Sequence, residues 1–142
     1  MMIVLDTNVV SEILKKDNSD HNVINWFIQL PPQECRTTTI TIAELLYGLA
    51  IKPVGQRRDN LSQTIQAFIA TYRDRTWSFN QTAASHYAAI AASRRQTGRP
   101  IGVQDAMIAA IARSHGAAVA TRNIKDFEGT GVELINPWEY AQ

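Results

Sequence analysis

The sequence predicts an α/β fold built on a parallel sheet. Short runs of branched apolar residues alternate along the chain with longer segments of helical periodicity, the pattern of strand–helix–strand units. The first such run, Met2-Ile3-Val4-Leu5, is apolar at every position, as a strand covered on both faces must be. The length of 142 residues is enough to bury a core without staples, and predicts a single domain over 1–142.

Asp6-Thr7-Asn8 follows the first strand, and these are turn and cap residue types. A helix is expected from about Val9 to Lys16. A second, from about Asp20 to Leu30, carries Val23, Ile24, Phe27 and Ile28 at helical spacing, and Pro31-Pro32 ends it. Arg36 to Thr38 reads as a strand, and a helix from about Ile40 to Ile51 follows until Pro53-Val54-Gly55. A polar helix spans Arg57 to Arg73, and Arg75 to Phe79 reads as an edge strand. The Ala-rich stretch Gln81 to Thr97 is helical, with Gly98 as its C-terminal cap. A further helix runs from about Val103 to His115 and stops at Gly116. Ala118 to Thr121 and Glu133 to Ile135 are the last strands, before Asn136-Pro137-Trp138.

A hydrophobic share of 45% with 19% charged residues is ordinary for a globular chain. No apolar stretch approaches the ~18 residues that span a bilayer. Asp6 and Asn8 interrupt the N-terminal apolar run and no basic region precedes it, so the start is a poor secretory signal and a cytoplasmic location is expected. Cys35 is the only cysteine, which excludes an internal disulfide, and it reads as a small buried filler. With a net charge of +1, the chain as a whole argues neither for nor against nucleic acid.

Three carboxylates stand alone in apolar surroundings. Asp6 is the only charged residue between Met1 and Ser11, Glu44 between Thr37 and Ile51, and Asp105 between Pro100 and Ala112. Glu44 shares a helical stripe with Ile40, Tyr47, Gly48 and Ile51, and Asp105 shares one with Ile108, Ala109 and Ala112. Both stripes look core-directed. Asp6 lies just past the carboxyl end of the first strand, the edge at which open α/β sheets bind ligands. Each acid alone could be a helix cap or half of an ion pair; three near the tops of elements feeding one sheet point to a shared site. Asp126 is a fourth candidate, and Asn123 in the same turn could ligate through its amide oxygen or through water. Converging carboxylates repel one another unless a cation neutralises them. With no His in these segments, the fitting ions are hard ones, Mg²⁺ or Mn²⁺.

Ile3-Val4-Leu5-Asp6-Thr7-Asn8, Thr39 to Gly48, Gly98 to Asp105, Ala120 to Phe127 and Ile135-Asn136-Pro137-Trp138 together resemble the motifs of the PIN-domain family, specifically the VapC-type ribonuclease toxins of bacterial toxin–antitoxin systems. The resemblance covers essentially the whole chain. It implies a three-layer fold, with a parallel sheet of order 3-2-1-4-5 and helices on both faces. It implies metal-dependent endonucleolytic cleavage of RNA, a cognate small antitoxin whose C-terminal segment wraps the toxin and blocks the site, and a homodimer. It carries metal-ligand roles onto Asp6, Glu44, Asp105 and Asp126, with Asn123 as the alternative fourth ligand. On that basis Asp6 and Asp105 hold the principal Mg²⁺ (or Mn²⁺), and Glu44 and Asp126 complete the cluster.

Thr7 and Asn8 either orient Asp6 or serve as simple turn and cap residues, and Thr121 is placed to act like them. Arg94, Arg95 and Arg99 flank the loop before Asp105 and are candidate phosphate holders, as are Lys15, Lys16, Arg57 and Arg58; each equally fits a solvated helix face. Tyr47, Leu46, Leu49 and Ile51 read as packing, Trp77 and Trp138 as anchors, and His21, His86 and His115 as structural or surface residues. Two other functions compete: another α/β metal-dependent phosphate hydrolase, and a catalytically inactive PIN-like binding module. Asp6-Thr7-Asn8 lacks the second Asp of a DxD phosphatase motif, and the intact acids argue against an inactive module.

Overall fold

The computed structural model describes residues 1–141. In chain order the elements are β1 (Ile3–Leu5), α1 (Thr7–Ile13), α2 (His21–Ile28), β2 (Cys35–Thr38), α3 (Thr39–Ala50), α4 (Gln56–Thr71), β3 (Thr76–Trp77), α5 (Gln81–Gln96), α6 (Val103–Ser114), β4 (Ala118–Ala120), α7 (Ile124–Phe127) and β5 (Leu134–Ile135). The five strands form one sheet in the order β3-β2-β1-β4-β5, and every pairing is parallel. This is the order that the family resemblance implies. β1 lies at the centre, with Ile3 opposite Cys35 on one side and Ala118 on the other.

The strand period of two divides the core between the faces of the sheet. Ile3, Leu5, Ala118 and Ala120 point to one face, against Val9, Val10, Trp26 and Phe68 of α1, α2 and α4 and Tyr72 at the end of α4. Val4 and Val119 point to the other, against Ile90, Ile108 and Phe127 of α5, α6 and α7. Every-position apolarity in β1 thus has its physical cause: helices cover both sides. On α6 the small residues Ala106, Ala109, Ala110 and Ala112 are fully buried, so the helix lies close against the sheet. Cys35 is buried in the core, as a small apolar filler would be.

Several boundaries differ from the sequence expectation for identifiable reasons. α1 begins at Thr7 rather than Val9, because the Asp6 side chain accepts the Thr7 N–H and starts the helix there. Asp20 caps α2 by accepting from Asn22 and Val23 N–H groups. Gly98 and Gly116 close α5 and α6 at φ +73° and +65°, the left-handed backbone that glycine adopts without a Cβ penalty. β3, at two residues, is shorter than expected and lies at the sheet edge.

Candidate metal centre

The acids gather at the carboxyl edge of the sheet. Asp6 follows β1 directly and is 4% exposed. Its Oδ1 accepts the Thr7 N–H at 2.8 Å. Its Oδ2 accepts the Thr121 hydroxyl at 2.7 Å, from the residue that follows the neighbouring strand β4. Capping α1 therefore does not remove Asp6 from the candidate site, since the same carboxylate also reaches Thr121. Asn8 braces this junction, donating through Nδ2 to Thr121 Oγ1 at 3.4 Å and accepting the Arg122 N–H at 3.3 Å. The Asn123 N–H also donates to Thr121 Oγ1, at 3.0 Å.

Glu44 projects from α3 and is half-buried. Its Oε1 accepts the Thr7 hydroxyl at 2.7 Å, so adjacent residues, Asp6 and Thr7, serve two different acids. The expectation that Glu44 lies on a core-directed stripe is corrected here. Tyr47 and Ile51 are 67% and 65% exposed, Gly48 is exposed too, and Leu46 is not core packing either. α3 is apolar on nearly every side, so periodicity cannot select its inward face. The Asp105 stripe holds: Ile108, Ala109 and Ala112 are fully buried, and Asp105 sits half-buried in the first turn of α6. Asp126 lies on α7, a single turn that periodicity does not reveal, and is exposed.

Arg94 is not a phosphate holder. It is 6% exposed, and its guanidinium donates to the carbonyls of Arg99 at 2.6 Å, Asp126 at 2.8 Å and Glu128 at 2.8 Å. It pins the α7 segment that bears Asp126 to the end of α5. The sequence carries a signal for this, because Arg94 continues the buried Ala83–Ile90 face of α5 at helical spacing. Arg99 pairs with Glu128 at 3.4 Å on the surface, and Lys15 pairs with Glu12 at 2.9 Å. Thr38 and Thr41, buried beside Glu44's partner Thr7, were not singled out by sequence. Their link to the site is tertiary.

The charges at this edge act on Asp105 and Asp6. Asp105 is pushed up to about 6, first by burial and then by the charges of Asp6, Asp126 and Glu44, with Arg94 opposing. Asp6 is raised by burial; the Thr121 and Thr7 hydrogen bonds pull it back, and Glu44 and Asp126 push it further up. Among the described residues no three His, Cys, Asp or Glu side chains close to the spacing of a ready-made coordination shell. Mg²⁺ is a hard ion that keeps several of its waters and takes only one or two carboxylates directly. All-oxygen donors, mutual repulsion and a buried arginine turned toward carbonyls instead of the acids make the residues a fit for such an ion. They do not fit zinc, which prefers nitrogen and sulfur.

The PIN domain family model matches residues 3–132, and the chain belongs to the PIN-domain family. Within it the similarity runs to toxins and VapC ribonucleases. Plasmid stability protein StbB of Pseudomonas syringae pv. tomato is 40% identical over 139 residues, 97% of this chain and 99% of that one. VapC ribonuclease Y4jK of Sinorhizobium fredii is 39% identical over 141 residues, 99% and 100% of the two chains. Toxin FitB of Neisseria gonorrhoeae is 33% identical over 138 residues, 96% and 99% of the two chains. The solved FitAcB structure from that organism aligns with a TM-score of 0.91 at 33% identity, over 97% of this chain and 99% of that one. The sheet order also separates the fold from the 2-1-3-4-5 arrangement of receiver-type phosphate proteins.

Proposed function

We propose that this protein is the toxin of a toxin–antitoxin pair, and that it is an endoribonuclease which hydrolyses RNA phosphodiester bonds with Mg²⁺ or Mn²⁺. The observation that supports the metal site is the convergence of Asp6, Glu44, Asp105 and Asp126 on the carboxyl edge of the sheet, from β1, α3, α6 and α7, where the charges of the other three add to burial in raising the Asp105 carboxyl. Such a cluster is at ease only with a cation among its oxygens. The ribonuclease activity rests on family membership and on the 39% identity to a VapC ribonuclease. A bound ion supplies an activated water and stabilises the charge that builds on the phosphate.

The chain's own residues divide the rest of the work. Asp6 and Asp105 offer the principal ligands, with Glu44 and Asp126 completing the site. Thr121 and Thr7 hold Asp6 and Glu44 in fixed orientation through hydrogen bonds of 2.7 Å each. Arg122 and Lys125 line a hollow of about 390 Å³ that also holds Asp126, and they are placed to take phosphates of the incoming strand.

An apolar groove of about 670 Å³ lies between α1, α2 and α4, lined by Ile13, Leu14, Phe27, Ile28 and Phe68. A second hollow of about 320 Å³ shares Leu14 with it and extends to Thr7 and Glu44. The pair forms a track for the antitoxin segment, which lays an apolar stretch in the groove and ends at the acids. Homodimerisation through exposed Tyr47, Ile51 and Val54 is part of the same proposal, as is action in the cytoplasm, where the RNA is. No helix among the described residues is long and apolar enough to cross a membrane.

The test is incubation of antitoxin-free protein with total RNA, with Mg²⁺ and with EDTA, followed by mapping of the cut ends. Cleavage that needs Mg²⁺ and vanishes in Asp6→Asn and Asp105→Asn is the expected result. Wild-type-like cleavage by either variant, or cleavage indifferent to EDTA, refutes the assignment.

A further inference from the structure

Four contacts link the start of α3 to Glu44. The Thr41 N–H donates to Thr38 Oγ1 at 3.1 Å. Thr38 Oγ1 lies 3.5 Å from Thr41 Oγ1, and Thr41 Oγ1 lies 3.0 Å from Thr7 Oγ1. Thr7 Oγ1 then donates to Glu44 Oε1 at 2.7 Å. Thr38 and Thr41 are both fully buried, so water does not complete their hydrogen bonding.

Proton counting fixes the direction of this chain. A hydroxyl carries one proton, and an ionised carboxylate can only accept. The Thr7 proton is therefore committed to Glu44, and the Thr7 oxygen must accept from Thr41. The Thr41 oxygen, its own proton spent, accepts from Thr38, whose oxygen is already taken up by the Thr41 N–H. The chain begins on a backbone donor that cannot reverse and ends on the carboxylate. Among the described residues no hydrogen bond reaches Glu44 Oε2, so that oxygen is left to the site.

We propose that Thr41 is a positioning residue of the metal site: its hydroxyl, ordered by Thr38, orients the Thr7 proton onto Glu44 Oε1 and so aims the other carboxylate oxygen at the ion. The proposal rests on the metal-site reading above. Thr41 touches neither the ion nor the substrate. Its effect passes through Thr7, and outer partners of this kind typically change metal affinity by about 10–100-fold when removed.

The experiment is calorimetric titration of metal-free protein with Mg²⁺, repeated with Mn²⁺, on wild type, Asp105→Asn, Thr41→Val, Thr41→Ser, Thr7→Val and the Thr7→Val/Thr41→Val double variant. Thr41→Val is expected to bind about 10-fold more weakly, while Thr41→Ser, which keeps the hydroxyl, binds as wild type does. The double variant is expected to bind no more weakly than Thr7→Val alone, because the two hydroxyls act in series. Wild-type affinity in Thr41→Val overturns the proposal, and so does an additive loss in the double variant or a failure of Thr41→Ser to restore binding. If Thr41→Val yields no soluble protein, Thr41→Cys, close in size with only a weak donor, replaces it under the same expectation. Failure of the metal-site reading looks different: wild type and Asp105→Asn then titrate alike, and the positioning role falls with it.

Discussion

Replacing Asp105 with Asn is expected to stabilise the metal-free protein while destroying its activity. The Asp105 carboxyl is pushed up to about 6, whereas in an unfolded chain it titrates near ~3.9. A carboxyl raised in this way contributes its full stability below the unfolded pKa and loses it as pH rises through the folded one. Without metal, ionised Asp105 therefore works against the fold above about pH 6. A gap of roughly two pH units corresponds to about 3 kcal/mol. Asp105 is only half-buried, so water screens the repulsion and leaves about 1–2 kcal/mol. Asn also forfeits the attraction of a carboxylate to the first turn of α6, ~0.5 kcal/mol. The net gain is about 1 kcal/mol, or roughly 3 °C in Tm for a chain of this size. The assay is thermal unfolding in EDTA at near-neutral pH and again in acid below the unfolded pKa, where both proteins are uncharged at this position and the gain should vanish. Saturating Mg²⁺ should reverse the order, since about 100 Kd of ligand adds ~2.7 kcal/mol to whichever protein binds it. A variant less stable than wild type in EDTA at neutral pH, or a gain that persists in acid, refutes the electrostatic account.

Arg94→Met keeps the volume but leaves the Arg99, Asp126 and Glu128 carbonyls without their donor. Urea unfolding should register a loss of about 2–4 kcal/mol, with cleavage weakened because Asp126 is no longer pinned; a loss under ~0.5 kcal/mol contradicts this role. Tyr47→Ser and Ile51→Ser remove apolar surface that is mostly exposed, so monomer stability should move by no more than about 0.5 kcal/mol. Sedimentation should nonetheless record a dimer turned monomer, and a dimer that persists rules this face out. His115 stacks on Trp77 at 3.8 Å, and burial followed by the Arg36 charge lowers its pKa below the usual histidine value of 6.5. The unfolded chain therefore takes up the proton first, and stability falls as pH drops below about 6.5. His115→Gln should remove that part of the pH dependence, and an unchanged curve assigns it elsewhere.

The sequence made some of this architecture readable because local chemistry and tertiary role coincide. Asp6 follows an unbroken apolar strand, and Asp105 rides a stripe of Ile108, Ala109 and Ala112 that is in fact buried, so each stands out as a charge where an apolar residue is expected. The strand order is not encoded in periodicity; it came from the resemblance of the motifs. The inward face of α3 was misjudged because apolar residues surround that helix, leaving no polar side to mark solvent. α7 spans only Ile124–Phe127, too short for a helical period. Arg94 and Arg95 look equivalent as a basic pair, yet one is buried and the other exposed. Thr38 reads as the end of a strand and Thr41 as part of the helix after it, and only the approach of Thr7 from α1 connects them to Glu44.

The central position of β1 has a consequence for biosynthesis. Its first neighbour, β2, leaves the ribosome early, but its second, β4, lies about 80 residues later. At elongation rates of about 5–20 residues per second that gap lasts roughly 4–16 s. Until β4 docks, Asp6 lacks the Thr121 hydroxyl that orients it, and Asp126 comes later still. The acidic edge of the sheet is therefore a late product of the topology: it cannot close until β4 and α7 have both been made.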